Sequence, residues 1–153
     1  MRVCLTVMSN RVPSREEWGD VKADSHQVAA FSLYGGKTVE EAIPHFVSDP
    51  IHQAQVLRYA TPAVFDYYIF CFATHLAKEE SAGESDMASV FLNLLLEKSQ
   101  NDPKALARIY PLLRSTIEVI AGRQAFYDAD EEIYGSFHMK RLDIELNLAK
   151  RTL

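Results

Sequence analysis

The chain has 153 residues, 48% of them hydrophobic and 24% charged, a length and balance that suit one globular domain and exclude a disordered or fibrous chain. Sixteen Lys and Arg against 21 Asp and Glu leave a net charge of −5. That argues against general nucleic-acid binding, which needs clustered cations on phosphate, and it permits a basic protein partner. Two cysteines, Cys4 and Cys71, make neither a disulfide framework nor a zinc knuckle, so a reducing cytoplasm is the simplest compartment.

In chain order, the opening MRVCLTVMSNRVP holds an apolar run too brief for a signal-peptide core. Asn10–Ser14 reads as a loop, and HQVAAFSLY as a helix stopped at Gly35-Gly36. Gly35-Gly36-Lys37-Thr38 resembles part of a phosphate-binding loop. That pattern needs a buried strand before it and a glycine where this chain has Phe31, so the stretch reads as a helix stop followed by a threonine cap.

Thr38 and Glu41 have the spacing of a capping box. Asp49-Pro50, Thr61-Pro62 and Asp102-Pro103 each set a capping side chain before a proline, which loses nothing at the first helical position. They place helix starts near 50, 62 and 103. Ser85 or Asp86 is expected to cap a further helix over MASVFLNLLLEK, after a loop at Glu80–Ser85. The stretch after Pro103 carries Leu106, Ile109, Leu113, Ile117 and Ile120 as one stripe and Lys104, Arg108, Pro111, Ser115 and Glu118 as the other. Pro111 then falls on the solvent side of a kink or at a break between two helices.

The run TPAVFDYYIFCFATHLA is apolar around almost its whole circumference, the signature of a helix buried by neighbours. It is short for a bilayer span and is interrupted by Asp66, so no membrane association is expected. The expected fold is all-α: a compact multi-helix single domain over residues 1–153, built around a central apolar helix at about residues 62–78. In RLDIELNLAKR, Leu142, Ile144, Leu146 and Leu148 alternate with polar residues at the strand period, but the residue types favour helix. A minor terminal β pair, with Val3–Val7 as partner strand, is the alternative. As a helix the segment has two apolar faces, one of which can pair with a second copy of the chain.

The candidate chemistry is sparse. His26, His45, His52, His75 and His138 show no metal-binding spacing and read as ordinary surface or loop histidines. Cys71 and His75 share a helix face, but Phe70 and Phe72 flank the thiol, so a buried, inert cysteine is expected. There is no GxSxG elbow, and no ExxH accompanies the adjacent glutamate pairs. No catalytic residue, metal ligand or cofactor is assigned.

The informative stretch is YDADEEIYG, residues 127–135. An EF-hand loop numbered from Asp128 would need glycine and glutamate where Ile133 and Met139 stand, so calcium is excluded. Asp128 or Asp130 can cap a helix whose first turn holds Glu131 and Glu132, with Lys150 and Arg151 complementing the far end. A cap explains one or two acids, whereas here four acids lie between two tyrosines, a residue type favoured in binding surfaces. Tyr127, Asp128, Asp130, Glu131, Glu132 and Tyr134 are therefore the expected partner-binding residues.

The reading that follows is a small acidic protein-binding module. In size, charge and helix content the chain resembles small bacterial immunity proteins, which block toxins acting on nucleic acid or cell wall. The resemblance implies a basic toxin or effector as partner. The alternatives are an enzyme or small-ligand binder, with a pocket beside helix 62–78 lined by Tyr67, Tyr68, Cys71 and His75, and a self-assembling structural protein. A homodimer through the C-terminal segment is the expected form of the last.

Overall fold

The computed structural model describes residues 11–150, and every regular element among them is helical. Val3–Val7, Cys4, Asn10 and Arg151, on which parts of the sequence reading fall, lie outside the described residues. The chain divides into two compact units, with the boundary between Phe72 and Ala73.

The first unit holds two 3-10 turns, Glu16–Trp18 and Val21–Ala23, then helices α1 (Ser25–Tyr34), α2 (Val39–Ser48), α3 (Pro50–Arg58) and most of α4 (Pro62–Leu76). Side-chain caps open three of these helices, and the sequence marks two of them, at Thr38 and Asp49. Asp24 accepts the His26 backbone N–H at 2.8 Å, and Asp49 accepts that of His52 at 3.2 Å. Thr38 and Glu41 form a reciprocal capping box at 3.2 and 2.9 Å. The Thr38 backbone N–H, donated to the carboxylate, holds the Glu41 carboxyl below its usual range. Gly36, at φ 80, makes the turn between α1 and α2 that a side chain would strain. The GGKT stretch is thus a helix stop and a cap.

Aromatic rings fill this unit. Trp18 meets Phe31 edge-on at 5.3 Å, Tyr34 meets Tyr68 at 5.0 Å, and Phe46 meets Phe72 at 5.2 Å, all within the range of attractive edge contacts. Two buried polar tips find partners: Tyr34 Oη donates to Gln53 Oε1 at 2.6 Å, and Gln27 Nε2 donates to the Val56 carbonyl at 2.8 Å. Along α4, Val64, Phe65, Tyr67, Tyr68, Ile69, Cys71 and Phe72 are all buried. The helix apolar all round is therefore a core helix.

The second unit continues through a 3-10 turn at Glu79–Ser81, helices α5 (Ser85–Asn101) and α6 (Pro103–Ala121), a 3-10 turn at Gln124–Tyr127, the short α7 (Glu131–Tyr134) and α8 (Phe137–Lys150). Helices α5, α6 and α8 pack pairwise. The α6 stripe Leu106, Ile109, Leu113, Ile117 and Ile120 is buried, and Lys104, Arg108, Pro111 and Ser115 are exposed. Helix α6 runs unbroken through Pro111. On the exposed face the carbonyl deprived of its N–H partner can be served by water, so no break is forced.

Two sequence expectations are corrected here, and in the segment at 140–150 the residue types that favour helix prevail over the strand period. The cap of α5 is neither Ser85 nor Asp86: the N-cap residue is Glu84, whose side chain makes no capping bond. Its carboxylate instead meets His75 Nε2 at 2.8 Å. The helix opened by Asp130 does not run on to the basic C-terminal residues. It is a single turn stopped at Gly135, φ 78, after which Ser136 accepts the Met139 N–H at 3.1 Å and opens α8. The alternating segment at 140–150 is helix throughout. The inner face of α8 buries Phe137 and Ile144. Tyr110 Oη donates to Glu145 at 2.8 Å and Arg141 pairs with Glu118 at 3.5 Å, an antiparallel seam with α6. Asn147 donates to Ser99 of α5 at 2.9 Å.

Candidate functional site

The acidic corner lies between the end of α6 and the start of α8, within the second unit. After the 3-10 turn the chain reverses at Asp128, which takes the left-handed conformation with φ 58 and ψ 34. Aspartate tolerates that region better than most residues. Ala129 is buried directly after the reversal, and Asp130 accepts the Glu132 N–H at 2.9 Å to open α7. Gln124 clamps both ends of the loop. Its Nε2 donates to the carbonyls of Ala129 and Gly135, each at 2.8 Å, and its Oε1 accepts the Phe137 N–H at 2.8 Å. This clamp gives no signal in the sequence, because a lone glutamine carries none.

The six expected contact residues divide between surface and support. Asp128, Asp130, Glu131 and Glu132 are exposed and adjacent. Tyr127 is fully buried, with its hydroxyl on the Leu76 carbonyl at 2.7 Å and the Arg123 Nε donating to it at 3.0 Å. Burial pushes that phenol above its usual pKa. Tyr134 is half-buried, and its hydroxyl bridges Asp86 at 2.9 Å and Ser85 at 3.1 Å. The tyrosines hold the corner from beneath and from the side. The apolar group presented at its surface is Ile133, 73% exposed.

The corner's carboxylates have no cationic partner among the described residues. The nearby cations are engaged elsewhere. Arg123 lies 4.0 Å over the Phe126 ring and donates to the Leu76 carbonyl at 2.8 Å. Lys140 donates to the Tyr134 carbonyl and stands 5.7 Å over the Phe137 ring. Burial lowers the Lys140 pKa. Beside the acids is a shallow cleft of about 310 Å³ lined by Ala125, Asp128, Ala129 and Asp130. Two alanines and two carboxylates in one lining suit the stem and head of a lysine or arginine.

The residues weighed for catalysis are engaged within the fold. Cys71 is buried with its Sγ 3.8 Å from the Val39 carbonyl, and burial pushes its thiol well above the usual value. The thiolate a nucleophile needs is therefore scarce. His75 pairs with Glu84. Tyr67 Oη accepts the Val39 N–H at 3.1 Å, and Tyr68 Oη donates to the Lys37 carbonyl at 2.7 Å. Among the described residues no group of three or more His, Cys, Asp and Glu converges as a metal site, and no helix is long and apolar enough to cross a membrane.

One juxtaposition escaped the sequence. His26 and His52, 26 positions apart, meet with Nδ1 and Nε2 2.9 Å apart and ring centroids 5.0 Å apart. Only the packing of α1 against α3 brings them together.

Comparison of the chain with models of known protein families, with curated proteins and with solved structures returns no match.

Proposed function

We propose that this protein is a small acidic protein-binding module whose corner at Asp128, Asp130, Glu131 and Glu132 docks a basic partner. The observation that carries the reading is Ile133. A single exposed isoleucine is ordinary on a protein surface. This one is 73% exposed and follows directly on Asp130, Glu131 and Glu132, none of which has a cation to answer it among the described residues. An exposed apolar side chain beside unpaired charge suits a binding surface, in which the charge steers and the apolar group is desolvated. The partner class that fits is a basic toxin or effector met in the cytoplasm, as an immunity-type protein would meet it. Net charge −5 and a buried free thiol at Cys71 support that choice. Affinity capture from the source cell with the wild-type chain and with Glu131→Lys, Glu132→Lys tests it. A basic protein held by the first and lost by the second is expected, and equal retention by both overturns the reading.

Self-association is a second reading, favoured by α8. Met139, Leu142 and Leu146 follow one another at helical spacing and are 52%, 41% and 54% exposed. A two-fold contact along this face would cover them. Sedimentation of the wild type against Leu142→Glu, Leu146→Glu decides it: a dimer abolished by the change supports the reading, and a wild-type monomer at high concentration contradicts it.

A further inference from the structure

We propose that His26 and His52 form a two-point binding site for a divalent transition metal of the copper(II) or nickel(II) kind, one that fastens the N-terminal turn of α1 to that of α3. The pair lies outside the acidic corner, and the inference does not depend on it.

Three observations carry it. The first is distance. The two nitrogens stand 2.9 Å apart. Ligand nitrogens held cis on one metal at ~2.05 Å are about 2.9 Å apart at a right angle and about 3.3 Å apart in a tetrahedron, so the spacing suits square-planar or octahedral positions. The second is preorganisation. The His26 backbone N–H is fixed on Asp24 Oδ1 at 2.8 Å and that of His52 on Asp49 Oδ1 at 3.2 Å. The backbones are set by helix caps, so the change required is a rotation of each ring that turns its lone pair toward a shared ion while the nitrogens keep about their present spacing. The third is access: His26 is exposed and His52 half-buried, so an ion and its remaining waters have room.

The rings now face each other as donor and acceptor, which requires one proton between them. On chelation that proton moves to a far ring nitrogen. His26 then binds through Nδ1 with its proton on Nε2, and His52 through Nε2 with its proton on Nδ1. Both rings stay neutral, as metal ligands must be, and no proton is left over. The positive ends of two helix dipoles oppose a cation here, and the Asp24 and Asp49 carboxylates at the same two caps offset them. No third protein side chain of the usual ligand types joins the group among the described residues. The other positions therefore belong to water or to a ligand brought by something bound at this face.

The test is titration of the full chain with Cu²⁺, read by calorimetry and by electron paramagnetic resonance. One ion per chain is expected, with a signal from two nitrogen ligands and a rise in the thermal unfolding midpoint. His26→Gln and His52→Gln should each weaken binding roughly a hundredfold, the usual gain from linking two ligands, and should remove the midpoint shift. His138→Gln, on the exposed surface of α8, should leave both unchanged. Circular dichroism confirms that each variant is folded. Equal affinity in the wild type and the two pair variants, or no binding at equimolar Cu²⁺, overturns the proposal.

Discussion

The Tyr127 hydroxyl donates to the Leu76 carbonyl at 2.7 Å, and the Arg123 guanidinium donates to the same oxygen at 2.8 Å. That carbonyl is the last of α4, one of the orphan acceptors every helix leaves at its C-terminus. The residue just before the acidic run is thus committed to closing a helix end. Tyr127→Phe should cost about 0.5–1.5 kcal/mol, the net value of one such bond. Denaturant unfolding reads this, and partner affinity in the folded variant should be unchanged. A variant as stable as wild type that binds its partner less well would return Tyr127 to the contact surface.

Phe72 is fully buried and meets Phe46 edge-on at 5.2 Å. Phe72→Ala should lower stability by about 3–5 kcal/mol, the usual loss for a buried aromatic. A loss below about 1 kcal/mol by chemical unfolding would show that the first unit can collapse around the void.

Alkaline pH should destabilise the protein. Burial raises the pKa of Tyr34, Tyr68 and Tyr110 above an ordinary 10.0 and that of Cys71 above an ordinary 9.0. A group whose folded pKa is raised stabilises the fold fully below its unfolded pKa, and loses that contribution as pH rises toward its folded value. The unfolding midpoint in denaturant should be steady near neutral pH and fall once pH passes about 9. Cys71 should react slowly with a thiol reagent in the native state and quickly once unfolded. A flat stability profile to pH 10.5, or rapid native labelling, would contradict the burial of these groups.

Much of the fold was legible because it rests on local chemistry. Asp49, Thr38 and Asp102 satisfy backbone N–H groups within three residues of themselves, and the stripe Leu106 to Ile120 reports one face of one helix. Such signals need no knowledge of the rest of the chain. The failures share the opposite property. Glu84 leaves its helix uncapped because His75, nine positions earlier, takes its carboxylate. Tyr127 is buried because of a carbonyl 51 positions away. His26 and His52 meet only once two helices have packed. The acids of the corner were visible as composition. Which neighbour faced the solvent was not, since a tyrosine and an isoleucine beside them differ in exposure only through tertiary contacts.

Asp130 separates the corner's structural role from its binding role. Its side chain accepts the Glu132 N–H at 2.9 Å, so Asp130→Ala should cost about 1 kcal/mol as a lost cap. Asp130→Asn keeps an acceptor and should restore most of that stability while removing one charge. If the corner binds by charge, the asparagine variant should associate more slowly despite its recovered fold. Equal association by wild type and Asp130→Asn would confine Asp130 to capping.

The most direct measurement is the association rate of Glu131→Lys, Glu132→Lys with the captured partner at about 0.01 M and 0.15 M salt, where screening lengths are about 30 and 8 Å. Neither side chain accepts a hydrogen bond or pairs with a cation among the described residues, so reversal should leave the fold intact apart from a helix-dipole contribution of roughly 0.3–1 kcal/mol each. Steering by opposite charge acts mainly on the on-rate. The variant should associate roughly tenfold or more slowly at the lower salt and lose most of the wild type's salt dependence. An on-rate and salt dependence equal to wild type, with the helical spectrum unchanged, would contradict the binding role and leave the corner as a capped turn.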